Sequence, residues 1–202
     1  IYASAETPTE VQADYNHNSA AVLGAKDNSV LSNGLVGYWK MDEASYSDTS
    51  GEVIDSSGTA NNGTPVNGAE ASTSAKFGNA GYFAGTGKYI SLGTPRSMTS
   101  RSYSVWVKPN AGASAAGRDG IFGENGGTRI DYGNGTGSTS FHALILLTAG
   151  SPNYKELTGT GNGTSDWSHL VLTLDNAQGV GKLYVNGVLA STATWDTTTQ
   201  SV

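Results

Sequence analysis

Tyr103-Ser104-Val105-Trp106-Val107-Lys108-Pro109 is the stretch on which the fold turns. Tyr103, Val105 and Val107 fall on one side of an extended chain, and Ser104, Trp106 and Lys108 on the other. That is the two-residue period of a β-strand, and Pro109-Asn110 ends it. With Val on one side and Trp on the other, the strand is expected to be covered on both faces.

Further strands are expected on either side of it. Leu35-Val36-Gly37-Tyr38-Trp39-Lys40-Met41 follows the turn dipeptide Asn33-Gly34 and reads as a strand with Leu35, Trp39 and Met41 on one face. Tyr82-Phe83 and Tyr89-Ile90-Ser91-Leu92 flank Gly85-Thr86-Gly87 and read as a short hairpin. Gly120 to Gly123, Thr128 to Tyr132 and Phe141 to Leu147 are strand candidates, and the glycines of Gly117 to Gly137 read as turns rather than a phosphate cradle. His169 to Leu174, Lys182 to Val185 and Val188 to Ala190 complete the set. Asn186-Gly187 marks a hairpin, because a type I′ turn needs positive φ at both central residues. No helical period is sustained beyond about ten residues. The expected fold is an all-β, antiparallel, two-sheet jelly-roll sandwich over 34–202, preceded by an irregular polar extension, 1–33, with Glu6, Glu10, Asp14 and Asp27 against Lys26.

Composition excludes several functions. Only 14% of the 202 residues are charged, against about 25% in an average domain, and 28 are glycine, the balance of strands joined by turns. The net charge of -6 and 11 scattered Lys and Arg argue against nucleic acid as a partner. The longest apolar run, Ala143 to Leu147, is too short to span a membrane. There is no Cys, so disulfides and thiolate metal sites are out. A start at Ile1 without an apolar signal segment suits a trimmed secreted chain or an excised piece.

The chain resembles the laminin-G-like domains of the concanavalin A-like lectin and glucanase group across roughly Gly34 to Trp195. The likeness lies in ordered blocks: Gly34 to Glu43; Asp55-Ser56-Ser57-Gly58 with Asn61-Asn62-Gly63-Thr64; Phe77-Gly78-Asn79-Ala80 with Tyr82-Phe83-Ala84-Gly85; Tyr103 to Pro109; and Asp166 to Asp175 with Leu183-Tyr184-Val185-Asn186-Gly187. The resemblance implies a jelly roll, an extracellular or cell-surface location, and a binding or adhesive role toward a glycan or a surface or matrix protein. Ala84 and Lys88 stand where such domains often carry acids, and those positions cannot ligate a cation. Such domains also continue past the late hairpin with a strand that pairs near the first one. If that strand is missing, an edge is left unpaired.

Catalysis is not expected. A retaining glycosidase needs two carboxylates about 5 Å apart, which the related glucanases supply from alternate positions of one strand. Here Asp42 and Glu43 are adjacent, while Glu124, Asp131 and Glu156 read as isolated. His17, His142 and His169 have no Ser, Cys or His partner at a recognisable spacing and read as strand or tail residues. Relatives often hold calcium among their loops, and calcium takes oxygen ligands of the kind offered by Asp55, Asn61, Asn62 and Asp42. The other reading of Asp55 is a turn residue capping its own backbone. For a glycan, Tyr132, Asn134, Tyr154 and Trp167 are the candidate contacts, each also readable as a core or loop residue. Asn62, Asn134 and Asn162 head glycosylation-type triplets that an Asn-, Gly- and Thr-rich chain produces by chance.

Two functions are carried forward. One is a non-catalytic binding module. The other is a structural subunit whose extension, with Ile1, Tyr2, Val11, Tyr15, Val22 and Leu23 as its apolar contacts, donates a strand to the next copy and builds a filament. The competing arrangement is an extension that closes its own sandwich.

Overall fold

The structure, a computed structural model, describes residues 1–16, 34–93, 100–110, 117–124, 127–133, 140–148, 153–162 and 166–197. The chain divides into two compact units: Ile1 with Ala21–Arg96, and Tyr2–Ala20 with Ser97–Val202.

The second unit holds two antiparallel four-stranded sheets. Ser100–Val107 (β5), Ser168–Asp175 (β10), Val180–Val185 (β11) and Val188–Thr194 (β12) form one, in the order β12-β11-β10-β5. Asp119–Gly123 (β6), Arg129–Tyr132 (β7), Ser140–Leu146 (β8) and Tyr154–Thr160 (β9) form the other, in the order β6-β7-β8-β9. Register sets which side chains share a face. Leu170 pairs with Val105 and Val185, and Leu172 with Tyr103 and Leu183. In the other sheet, Ala143 pairs with Ile130 and Leu157, and Phe141 with Tyr132.

Apart from the half-buried Val105, these inward side chains are buried and make the core. The sheets approach closely where glycine lines them: a Cβ on Gly181 of β11 would lie 2.5 Å from Ile145 of β8. Each buried Leu, Ile or Phe contributes roughly 1.5–3 kcal/mol of transfer free energy, so apolar burial is the main term holding the sheets together.

The extension differs from its expected irregularity. Pro8–Asn16 is an α-helix (α1), started by a reciprocal capping box in which the Thr7 amide donates to Glu10 Oε2 at 2.7 Å and the Glu10 amide to Thr7 Oγ1 at 3.3 Å. Pro8 suits the first turn, where its missing N–H leaves nothing unpaired. Ahead of the helix, Tyr2 exchanges both backbone hydrogen bonds with Ser102, at 2.9 and 3.0 Å, and extends the β5 edge. Tyr2 thus pairs within its own chain. Val22 and Leu23 lie outside the described residues.

The first unit is built from short pieces. Thr64–Val66 (β1) pairs with Tyr89–Ser91 (β4), and Glu70–Ser72 (β2) with Ala80–Tyr82 (β3). Tyr82 and Tyr89 therefore belong to different two-stranded sheets and not to one hairpin. Leu35 to Met41 is not a strand either; among its residues Leu35 and Trp39 make isolated bridges, that of Trp39 to Asp55. The reason is that side chains take the backbone groups a neighbouring strand would take. Asp55 accepts from the Tyr38 amide, and the Asn61 side chain donates to the Val36 carbonyl.

Candidate functional site

The sheet β6-β7-β8-β9 turns its second face away from the core. Pairing places Asp131 of β7 beside His142 of β8 and Thr158 of β9, and Arg129 beside Leu144 and Glu156. Arg118, just before β6, reaches over this face. Its Nη2 bonds Glu156 Oε1, and its Nη1 lies 3.9 Å from Asp131 Oδ2. Arg129 Nε donates to the same Asp131 oxygen at 2.9 Å, and His142 Nδ1 lies 2.9 Å from Glu156 Oε1. Asp131 and His142 are nearly buried, while Arg118, Arg129 and Glu156 are partly open. His142 Nε2 is buried with no partner among the described residues.

Partial burial works to raise the Glu156 pKa, but the hydrogen bonds and charges of Arg118 and His142 outweigh it and hold the carboxyl below the usual glutamate value. Two carboxylates that read as isolated in the sequence are thus joined through one guanidinium. The third, Glu124, instead accepts from Tyr103 Oη at 2.6 Å and faces Arg101.

The candidate glycan residues separate. Tyr132 is 2% exposed and packs on Phe141 at 5.2 Å between ring centroids, so it belongs to the core and cannot meet a ligand. Tyr154 is 41% exposed, on the same face as Glu156 two residues along β9. Trp167 is half-buried, and its carbonyl accepts from Asn162. Asn134 lies outside the described residues, as does His17.

The candidate calcium residues do not fit a cation. Asp55 is buried, and its Oδ1 accepts from the amides of Tyr38 and Ser57, its Oδ2 from the Thr59 hydroxyl and the Asn61 amide. Three backbone amides, with the Thr59 hydroxyl beside them, therefore engage both oxygens, and a bare carboxylate of the kind calcium takes is not presented. Asn62 Oδ1 accepts from the Asp55 amide, and Asn61 presents its Nδ2 to Val36 and Thr59. Asp42 is not part of this group and pairs with Lys40 at 3.8 Å. Asp55 therefore organises its turn, the alternative reading of the same motif.

His169 and Ser104 meet Asp14 of α1, a Ser, His and Asp constellation that spacing did not reveal. It is not a catalytic triad. Both Ser104 Oγ, at 2.9 Å, and Asp14 Oδ2, at 3.3 Å, approach the same nitrogen, Nε2 of His169, whereas a triad holds its acid on the opposite nitrogen. Among the described residues, no helix is long and apolar enough to cross a membrane.

Comparisons with known proteins gave the following. No curated protein matches the chain. A solved structure of a Bacteroides ovatus ATCC 8483 protein, described as a proposed carbohydrate binding protein, is 24% identical with a TM-score of 0.36. That likeness covers 48% of this chain and 26% of the other, so it spans about a quarter of that protein. The laminin-G profile of the concanavalin A-like lectin/glucanases superfamily matches residues 83–202, more than half of the chain. With its two antiparallel sheets and this match, the chain belongs to the concanavalin A-like lectin/glucanases superfamily.

Proposed function

We propose that the chain is a non-catalytic glycan-binding module acting outside the cell, and that the outward face of β6-β7-β8-β9 is its binding surface. The observation that supports this most is the network of Asp131, Arg118, Glu156 and His142. A sugar hydroxyl both donates and accepts, and this face sets guanidinium and imidazole donors beside carboxylate and hydroxyl acceptors, with the Tyr154 ring at hand for stacking. Membership of a lectin-bearing superfamily supports the ligand class, although a fold alone does not assign a function.

Hydrolysis by two carboxylates needs one of them protonated at the start of the reaction. Arg118 lies against both Asp131 and Glu156, and the lowered Glu156 pKa leaves that residue unsuited to act as a general acid at neutral pH. The pairing of Tyr2 with Ser102 within one chain supports this reading over strand donation to a further copy.

A glycan array read in parallel for the unaltered chain, Arg118→Ala and Glu156→Gln tests the reading. Removing a charged hydrogen-bond partner should weaken binding by about tenfold or more, with no reducing sugar released on incubation. Binding unchanged in both variants, or sugar release that Glu156→Gln abolishes, overturns it.

A further inference from the structure

The outward face of β12-β11-β10-β5 is covered by the chain's own N-terminal segment, and the cover fits it incompletely. On that face stand Ser104 and Trp106 from β5, His169 and Val171 from β10, and Tyr184 from β11, brought side by side by the pairing of Trp106 with His169 and of Val171 with both Ser104 and Tyr184. α1 presents Val11, Asp14 and Tyr15, three and four residues apart and therefore on one side of the helix. Val11 is fully buried with Val171 and Tyr184. The Tyr15 ring stacks on Trp106, 5.9 Å between centroids and 20° from parallel, and on His169 at 6.0 Å. Asp14 accepts from Ser104 and lies 3.3 Å from His169 Nε2. Gln12 Nε2 donates to the Gly187 carbonyl at 2.9 Å.

Three polar groups beneath or within the cover stay unsatisfied. The Tyr184 hydroxyl, His169 Nδ1 and both carboxyl oxygens of Glu6 are buried with no hydrogen-bond partner among the described residues. A permanent core contact is selected to satisfy such groups, because each one left bare weakens the packing around it. Tyr184 and His169 are 2% and 1% exposed, so the deficit lies at the covered face itself.

The chemistry of the face points to what would satisfy it. An indole ring beside an imidazole, a serine hydroxyl and a phenol is the set a saccharide ring uses, its C–H face on the aromatic plane and its hydroxyls on the polar groups. The cover imitates such a ligand: the Tyr15 ring takes the place on Trp106 that a pyranose would take, and the Asp14 carboxylate the place of a hydroxyl bonded to Ser104 and His169.

We propose that this face is a second saccharide-binding site, held closed by residues Tyr2–Tyr15 as an internal mimic of the ligand, and opened when a saccharide displaces them. It shares only its ligand class with the reading of the β6-β7-β8-β9 face. Because binding requires the cover to leave, apparent affinity is reduced by the fraction of molecules that are open, and loosening the cover restores it.

The test uses the full chain with the cover loosened in two independent ways, as Asp14→Ala with Tyr15→Ala and as Val11→Asp. Cellohexaose, xylohexaose and mannohexaose are titrated calorimetrically, and amide hydrogen exchange reads whether β5 and β10 are uncovered. The expected result is faster exchange at β5 with a gain of about tenfold or more in affinity for at least one hexaose, lost again when Trp106→Ala is added. Exchange unchanged in both loosened chains shows that the cover does not open and overturns the proposal. So does faster exchange without a gain. A gain that survives Trp106→Ala belongs elsewhere and overturns this site while leaving the first reading intact. Loosened chains that dimerise, and separate on adding a peptide of residues 2–16, would assign the face to the helix of a second copy instead.

Discussion

His169 and Asn186 hold each other by two hydrogen bonds: the His169 amide donates to Asn186 Oδ1 at 2.9 Å, and the Asn186 amide donates to the His169 carbonyl at 2.8 Å. The turn of the β11–β12 hairpin is thereby fastened to β10. Asn186 also sits at φ 51°, with Gly187 at φ 76°, as a type I′ turn requires. Asn186→Gly keeps the backbone accessible and loses one hydrogen bond, at a cost of about 1 kcal/mol. Asn186→Ala adds a left-handed penalty of about 1–2 kcal/mol, for a total of about 2–3 kcal/mol. Urea unfolding midpoints in that order support the assignment; equal midpoints would falsify it.

Leu172 lies at the centre of β10 and is fully buried between Tyr103 and Leu183 in the pairing register. Leu172→Ala should cost about 2–5 kcal/mol, since lost transfer energy and an unfilled cavity add. Leu189 of β12, in the same sheet but 49% exposed, should lose less than about 1 kcal/mol when changed to Ala. A comparable loss at both positions would mean that β12 packs more tightly than its exposure indicates.

What could be read in the sequence follows how local each signal is. The alternation of β5 and the Asn186-Gly187 turn are properties of a few neighbouring residues, and both are as expected. β9 went unread because its inward positions, Leu157 and Gly159, carry one large apolar side chain between Lys155, Glu156 and Thr158. α1 announces itself only in Thr7-Pro8-Thr9-Glu10, a capping box with Pro in the first turn, because nine residues are too few to establish a helical period. Leu35 to Met41 is apolar enough for a strand, and only the hydrogen bonds of Asp55 and Asn61 show why it is not one. The Arg118, Asp131, His142 and Glu156 cluster depends on the register of three strands, which no spacing in the sequence encodes.

Asp55 sets an acid limit on the first unit. Burial works to raise its pKa, but the hydrogen bonds from Tyr38, Ser57 and Asn61 outweigh it and hold the carboxyl well below the usual aspartate range. For a depressed carboxyl the contribution to stability is present above the unfolded pKa of about 3.9 and is lost as pH falls from there through the folded value. Asp55→Asn, which places an amide N–H against other donors, should cost at least about 2 kcal/mol at neutral pH and remove this acid-dependent part. Adding millimolar calcium or a chelator should leave the unaltered chain's melting temperature unmoved, because the carboxylate is already engaged by three backbone amides. A rise in melting temperature with calcium that Asp55→Asn abolishes would reverse the assignment.

Glu6 sets the opposite limit on the N-terminal segment. Burial first, and then the nearby charge of Asp14, pushes its pKa up from 4.5 to about 8, and neither carboxyl oxygen has a partner among the described residues. The docked state therefore holds the protonated acid. The stabilisation is complete below pH 4.5 and is lost as pH rises from there through about 8, since the free segment releases its proton first. The slope approaches about 1.4 kcal/mol per pH unit at most, and it ends where the segment lets go. His169, Glu10 and Asp14 also face this region, and Asp14 is held below its usual value, since its bonds to His169 and Ser104 outweigh its burial, so its own protonation lies on the acid side. Amide exchange of Tyr2 and Ser102, measured at pH 5, 7 and 9 with intrinsic pH dependence removed, should show docking that weakens with pH. In Glu6→Gln the same amides should stay protected up to pH 9. Parallel pH dependence in the two chains would mean that another group controls docking.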